Sequence, residues 1–348
     1  MTSQGSGGFR LHVLNPGGND PEQDFGAEGN SAGHAPVNFH AYAACTGGGF
    51  FRDAKRAIAA GGPVLLLLRG DFRASERAFL ALTQAGVTVA VSLKETGLHQ
   101  IAEQLDEKNR LTRFLQIVRA ADGYIAPTPE AADFCRTVRG DAGSVAFIPT
   151  PYPLHDERWN FSCPIAERKG IMLGTREWDI PTRNHAAALM AAYRLSEATG
   201  EPVTTYNCDG RREEKLLARL DFRPGQLTVH NREDKYVDYL RVVASHKIVF
   251  QLDTSFVPGQ VAGDALICRL PCVGGNGTIE RIAFPEICGQ NRGLEELLEK
   301  SLGLLRDPNR YLAAIADAQT RAGEHLSFAG AARELEKFFA TRQASASK

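Results

Sequence analysis

The stretch KIVFQLDTSFVPGQVAGDALICRLPCVGGNGTIERI, Lys247 to Ile282, decides the architecture. Its short apolar run, Ile248 to Leu252, reads as a buried strand. Polar and turn-forming residues, Asp253 to Gly259, end that strand. A helical run follows, with Val261, Ala265, Leu266 and Cys268 on one face, and Leu270-Pro271 stops it. Cys272-Val273 is a second short strand running into Gly274-Gly275-Asn276-Gly277, and Thr278 and Glu280 open another helix. Strand, polar turn, helix, strand, glycine loop, helix is the plan of a doubly wound sheet with a ligand at its carboxyl edge. Three glycines let backbone amides approach a ligand closely, and the following helix offers its N-terminus to an anion.

The same residues carry a family resemblance. Gly259, Asp264-Ala265 and Leu270-Pro271-Cys272-Val273-Gly274-Gly275 fall in register with the nucleotide-sugar motif of GT-B glycosyltransferases. The chain resembles above all the large retaining group, glycosyl transferases group 1. That motif has a Glu where this chain has Phe256, and a second Glu where it has Asp264. The resemblance implies two Rossmann-like doubly wound α/β domains facing a cleft, and metal-independent, retaining transfer of a sugar from a nucleoside diphosphate. It also implies that the last helix crosses back to the first domain.

Outward from this stretch the strand-helix alternation continues in both directions. Toward the N-terminus, strands are expected at Gly170–Leu173, Val203–Tyr206 and Leu227–His230, with helices at Asn184–Ala198, Arg212–Leu220 and Glu233–Ser245. Asn184 reads as an N-cap and Gly200 as the residue past the helix end. The PTPYP run, Pro149 to Pro153, and the aperiodic stretch His155 to Lys169 mark a linker. Before it, strands are expected at Phe9–Leu14, Val37–Ala43, Val64–Leu68, Val87–Leu93, Gly123–Ala126 and Val145–Ile148, with helices between them. Asn15 to Ala35 is a long loop rich in Gly, Asn, Asp and Pro, of a length that marks function or disorder. Past Ile282, helices are expected at 293–305, 309–326 and 328–342. The expected division is an acceptor domain over 1–153, a nucleotide-sugar domain over 154–326, and a terminal helical segment over 327–348.

Composition bounds the partners. A chain of 348 residues with 43% hydrophobic and 23% charged residues suits two soluble globular domains. Its 40 basic and 41 acidic residues give a net charge of −1, so no global field draws it to nucleic acid or an acidic membrane. No basic-aromatic stripe suggests nucleic-acid binding. The seven cysteines are scattered without a CxxC pair, which fits reduced core thiols. The first residues, MTSQGSGG, lack the plan of a secretory signal, and the apolar run Pro63–Leu68 is too short for a bilayer. The cytoplasm is the expected compartment, and no transmembrane segment is expected.

The chemistry follows from what a nucleotide-sugar needs. A carboxylate accepts two hydrogen bonds from ribose hydroxyls, and Asp264 is the candidate; a helix-surface Asp fits the same pattern. Cations and amides suit the diphosphate. Arg176 and Arg183, in the loop after the strand ending at Leu173, approximate the basic pair of the resembling family, though exposed loop arginines fit as well. Gly274, Gly275, Asn276, Gly277 and Thr278 are the candidate sugar or phosphate cradle. Glu280 stands where a carboxylate favours a helix dipole. Thr46-Gly47-Gly48-Gly49 after an expected strand suggests a phosphate or acceptor loop, or simply a tight turn; it lacks the Gly-Lys-Ser/Thr ending of a P-loop.

For acceptor activation the candidates are Glu95, beside Lys94, and His40 in the expected second strand. A charge pair opening a helix and a satisfied structural histidine are the competing readings. The resembling family often has His-Asp where this chain has Lys94-Glu95. No Asp-x-Asp pair and no His spacing suits a metal, and no resident cofactor is expected. The donor would be a nucleoside-diphosphate sugar and the acceptor a glycan, lipid-linked or protein hydroxyl. The alternative is a degenerate GT-B protein that binds nucleotide or glycan without turnover.

Overall fold

Short runs buried on both faces favour parallel strands, because βα crossovers cover both sides of the sheet. The run Val64–Leu68 is the clearest case, with all five residues buried. The computed structural model describes residues 8–26, 34–175, 178–207, 211–231 and 235–346, with the side chains of 211–213 and 343–346 left aside. The chain divides into two compact units, 1–153 with 326–348, and 154–325.

Unit 1 runs β1 (His12–Leu14), β2 (Gln23–Asp24), α1 (Asn38–Ala44), β3 (Gly49–Phe51), α2 (Ala54–Ala60), β4 (Val64–Leu68), α3 (Arg73–Gln84), β5 (Val89–Leu93), α4 (Leu98–Gln104), α5 (Lys108–Ala120), β6 (Gly123–Ala126), α6 (Pro129–Arg139) and β7 (Val145–Phe147). The sheet order is β2-β3-β1-β4-β5-β6-β7, parallel throughout except for the short β2–β3 pair. Phe79, Leu82, Phe114, Ile117 and Ala132, from α3, α5 and α6, fill one face. The other face holds Phe39 and Tyr42 of α1 together with Leu335, Phe338 and Phe339 of the terminal helix Phe328–Ala346. Phe338 lies so close to β6 that a Cβ on Gly123 would stand 2.4 Å from its ring.

Two expectations change here. Val37–Ala43 is helix rather than strand: Asn38 takes a left-handed φ of +52° and opens α1. A short apolar run has no decisive period, and tertiary packing chose the helix. The strand follows the glycines, at Gly49–Phe51. The long loop after β1 also carries β2, which pairs with β3; residues 27–33 of that loop lie outside the described residues.

Unit 2 runs β8 (Ile171–Leu173), α7 (His185–Thr199), β9 (Val203–Tyr206), α8 (Arg211–Leu217), β10 (Leu227–His230), α9 (Tyr236–Ala244), β11 (Ile248–Gln251), α10 (Gln260–Ile267), β12 (Cys272–Gly274), α11 (Thr278–Ala283), α12 (Leu294–Arg306) and α13 (Pro308–His325), and the terminal helix becomes α14. Its sheet is parallel, in the order β10-β9-β8-β11-β12. Numbered within the unit this is 3-2-1-4-5, the doubly wound order, and chain direction reverses between β8 and β11. Ligands of such sheets bind outside the carboxyl ends of the strands at that reversal.

A buried cation ties the amino side of this unit together. Arg168 is 3% exposed and donates to the carbonyls of Cys163 and Arg269 and to the Tyr311 hydroxyl, at 2.6–3.1 Å. The Arg269 carbonyl follows the C-terminal end of α10, so the guanidinium complements that helix dipole. No described helix is long and apolar enough to cross a membrane.

Candidate functional site

The reversal point of unit 2 is built by three segments: the turn before α7, the loop after β11 and the glycine loop after β12. Gly174 ends the β8 edge. A Cβ there would stand 2.5 Å from Val261 Cγ1, so the close seating of α10 excludes larger residues. Thr175 Oγ1 meets His185 Nδ1 at 3.0 Å, and Thr205 Oγ1 lies 3.4 Å from its Nε2, which fixes the imidazole at the start of α7. Arg176 lies outside the described residues.

Arg183 closes the turn Pro181–Arg183. Its guanidinium pairs with Asp253 and reaches Ser255 Oγ at 3.4 Å. Asp253 is 4% exposed, and its other oxygen accepts from the Ser255 amide at 2.8 Å. Asn184, left-handed at φ +49°, bridges to the Leu252 carbonyl at 3.0 Å. The fold thus places a cation and a carboxylate together at the sheet's switch point, the carboxylate buried and the guanidinium largely so.

The glycine loop is joined to the same place. Asn276 N donates to the Asp253 carbonyl at 3.0 Å, and Asn276 Oδ1 accepts from Phe256 N at 3.0 Å. Thr278 N and Ile279 N donate to the carbonyls of Val257 and Pro258, both at 3.0 Å. Gly274 N is used by the Ile287 carbonyl at 2.8 Å. These amides stitch the segment 253–259 to the segment 274–279. The helix they open, α11, has six residues, too short for a strong dipole.

Gly274 and Gly275 need to be glycine, with φ of +82° and +70°. A Cβ on Gly274 would stand 1.9 Å from the Gln251 carbonyl oxygen. Phe256, at the position where the resembling family has its first Glu, is also left-handed, at φ +52°, with the Arg281 guanidinium 5.5 Å from its ring centre.

Glu280 is the residue the sequence reading underrated. It is 2% exposed, in the first turn of α11, and takes a 2.7 Å hydrogen bond from Gln251 Nε2 to Oε1. Burial pushes its carboxyl up to about 7 against the opposing hydrogen bond of its own backbone N–H, with Asp253 adding to the rise and Gln251 and Arg183 opposing it. A surface charge serving the helix dipole would not behave so. The only sequence signal was its setting between Ile279 and Ile282 in a glycine-dense stretch.

Asp264 is buried within α10 at 2% exposure, and Tyr236 Oη donates to its Oδ1 at 2.5 Å. Tyr236 opens α9 and lies against Trp159 and Tyr239, each 6.3 Å between ring centres. Asp264 therefore belongs to an aromatic corner between α9 and α10, while Arg183, Asn276 and Thr278 belong to the reversal point itself.

The unit 1 candidates fall in different places. Glu95 is exposed just past β5, where its carboxylate accepts from Gln100 at 3.3 Å; Lys94 pairs with Asp20 at 3.2 Å. His40 sits on α1, not on a strand. It stacks on Phe50 at 3.6 Å between ring centres, and its Nε2 lies 2.8 Å from the Pro21 carbonyl, which requires that nitrogen to donate. Burial lowers its pKa to about 4, so it is neutral at neutral pH. Gly47, Gly48 and Gly49 follow a helix and precede a strand, which reverses the expected order. They stand at the amino end of β3, opposite the edge that carries Glu95. Their amides are engaged by Ala44, Ala43 and His12 Nδ1, and a Cβ on Gly48 would stand 1.8 Å from the Leu11 carbonyl oxygen. Among the described residues no cluster of three or more His, Cys, Asp or Glu side chains is arranged for a metal ion.

No family model matches the chain. No curated protein is significantly similar to it in sequence. Solved structures are similar in fold. The Anabaena protein Alr3699/HepE in complex with UDP gives a TM-score of 0.66 at 11% identity, over 96% of this chain and 100% of that one. The same protein in complex with UDP-glucose gives 0.65 at 10% identity, over 95% and 99%. An alpha,alpha-trehalose 6-phosphate synthase from Burkholderia multivorans gives 0.64 at 10% identity, over 97% and 100%. At such identities the likeness is one of fold: this chain has the two Rossmann-like units of the GT-B fold.

Proposed function

We propose that this protein transfers a sugar from a nucleoside-diphosphate sugar to an acceptor hydroxyl, with the donor held by unit 2. The observation that carries the reading is the convergence at the β8/β11 reversal point of Arg183, paired with Asp253, and the segment Gly274–Thr278. That is where a doubly wound sheet binds its ligand. Proteins of the same fold have been solved with UDP and with UDP-glucose, which supports a uridine nucleotide as the first donor to try.

In this reading Arg183 binds the diphosphate, where a guanidinium fork matches phosphate oxygens, and Arg176, outside the described residues, is the second cation proposed for it. Gly274, Gly275, Asn276, Gly277 and Thr278 bring the chain close to the sugar and the phosphates. Asp264, with Tyr236, receives the ribose hydroxyls. Glu95 stands at the carboxyl edge of unit 1 as the general base, with His40 as the second choice; Gly47, Gly48 and Gly49 shape unit 1 rather than a phosphate site. Transfer is metal-independent and retaining, with catalysis by positioning and by stabilising the leaving diphosphate. The reaction needs no resident cofactor, and the cytoplasm is its compartment.

A second reading is favoured by one feature. Phe256 leaves the first Glu position without a carboxylate, which suits a protein that binds nucleotide or glycan without turnover. A transfer and hydrolysis screen with UDP-, GDP- and ADP-sugars, run beside a thermal-shift assay, separates the two. Turnover supports the transferase. A thermal shift without turnover supports the binder. Neither response with any nucleotide removes both.

A further inference from the structure

Glu280 is enclosed by glycine on three sides. A Cβ on Gly259 would stand 2.1 Å from its Oε2, one on Gly277 would stand 2.4 Å from the same atom, and one on Gly275 would stand 3.0 Å from Oε1. Gly259 leads into α10 and Gly277 into α11, so the carboxyl lies between the two segments that the backbone bonds of Thr278 and Ile279 join. Oε1 accepts from Gln251. Oε2 is buried and has no hydrogen-bond partner among the described residues, and Thr278 Oγ1, two residues earlier, is likewise buried and unpartnered there. A residue that served packing alone would be apolar in such a place.

We infer that Glu280 is a positioning residue of the donor site, a buried acid that holds the glycine segments 257–259 and 274–277 at the spacing a nucleoside diphosphate requires. The inference rests on reading this edge as the donor site.

The physical reason lies in Oε2. As a neutral acid the group leaves a hydroxyl against glycine, at modest cost. As a carboxylate it carries a full charge in a dry place. Its own backbone N–H, the Gln251 amide and the already paired Arg183 favour that charge less than burial and Asp253 oppose it, and a poorly solvated buried charge is expensive. The charge can be solvated only by parting the two glycine segments. The charged and titratable groups that reach Glu280 add to this. From the loop after β11 Asp253 repels it, while from the turn before α7 Arg183, already paired with Asp253, attracts it. From β12 the Cys272 thiol is buried beside it, and Asp264 of α10 acts on that same thiol. A second carboxylate beside Asp253 also competes for Arg183 and opposes an incoming diphosphate. The closed cradle and the neutral acid therefore go together, and the binding-competent fraction falls as Glu280 ionises.

The test is a calorimetric titration of UDP-glucose into the full chain at pH 6 and pH 8. UDP-glucose serves because its diphosphate has no terminal phosphate to titrate between those values. With an acid group near 7, affinity should be about tenfold weaker at pH 8 than at pH 6, as the competent fraction declines. Glu280→Gln keeps the shape and the hydrogen bond to its carbonyl oxygen, cannot ionise, and should bind with equal strength at both pH values. A wild-type affinity that does not change between pH 6 and 8, or a Glu280→Gln protein with the wild-type slope, overturns the positioning role while leaving the donor site standing. Absence of binding by UDP-, GDP- and ADP-glucose alike at both pH values overturns the donor-site reading and this inference with it. The wild-type pair of titrations needs no variant to fold.

Discussion

Replacing Gly259 by Ala tests whether the buried carboxyl dictates the glycine. Two costs add. Gly259 has φ +96°, where a side chain costs on the order of 1 kcal/mol in the backbone alone. The new Cβ would also stand 2.1 Å from Glu280 Oε2 and 3.2 Å from Ile279 Cβ, so the carboxyl must move. Moving it breaks the Gln251 bond and leaves buried polar atoms unsatisfied, which costs roughly 1–3 kcal/mol more. Gly225→Ala is the control, because Gly225 has φ +81° and open space where its Cβ would go. Both tryptophans, Trp159 and Trp178, lie in unit 2, so urea unfolding followed by Trp fluorescence reports on that unit. Gly259→Ala should lose about 2–4 kcal/mol and Gly225→Ala about 1 kcal/mol. In Gly259→Ala/Glu280→Ala the carboxyl clash is gone and only the tight contact with Ile279 Cβ remains, so the double variant should be less destabilised than the sum of the single ones. Equal losses for the two glycine variants, within about 0.5 kcal/mol, or strict additivity in the double variant, would refute the reasoning.

Three further outcomes follow from the same geometry. The Glu280 carboxyl is raised in the folded protein, from 4.5 to about 7, so its contribution is complete below pH 4.5 and is lost as pH rises toward 7. Unit 2 should lose on the order of 3 kcal/mol over that window, and Glu280→Gln should remove most of the slope when urea midpoints are read by Trp fluorescence. His40 has the opposite sign: lowered from 6.5 to about 4, it supports unit 1 above pH 6.5 and that support disappears as pH falls toward 4. Protection factors of peptides over α1 and β3, corrected for the intrinsic exchange rate at each pH, should fall in that window, and less so in His40→Gln. Arg168→Met removes the donors to Cys163, Arg269 and Tyr311, and should cost unit 2 about 2–4 kcal/mol in the same urea assay.

The parallel sheets were legible because their strands announce themselves. Val64–Leu68 and Ile248–Phe250 are apolar on both faces, and only a sheet covered by helices on both sides accepts that. The long amphipathic helices were legible for the same kind of reason: α13 was expected at 309–326 and spans 308–325. Residues 37–43 were misread because seven residues hold under two helical turns, too few to separate a period of 3.6 from one of 2. That error carried the glycine run 46–49 with it, since its meaning depends on whether a strand precedes or follows. At the site, the glycine-rich loop could be found from composition and the strand before it. The Arg183–Asp253 pair spans seventy positions, and no local pattern connects its ends. Glu280 was hidden differently. A glutamate in a first helical turn has an ordinary explanation on a surface, and only three-dimensional burial shows that this one has none.

A crystal structure of the protein with UDP-glucose tests the central claim most directly. The account predicts the diphosphate outside the carboxyl ends of β8 and β11, within hydrogen-bond reach of Arg183 and of the segment Gly274–Thr278, with the ribose at Asp264 and Tyr236. A nucleotide bound at the amino edge of the unit 2 sheet, or on unit 1 alone, would contradict it.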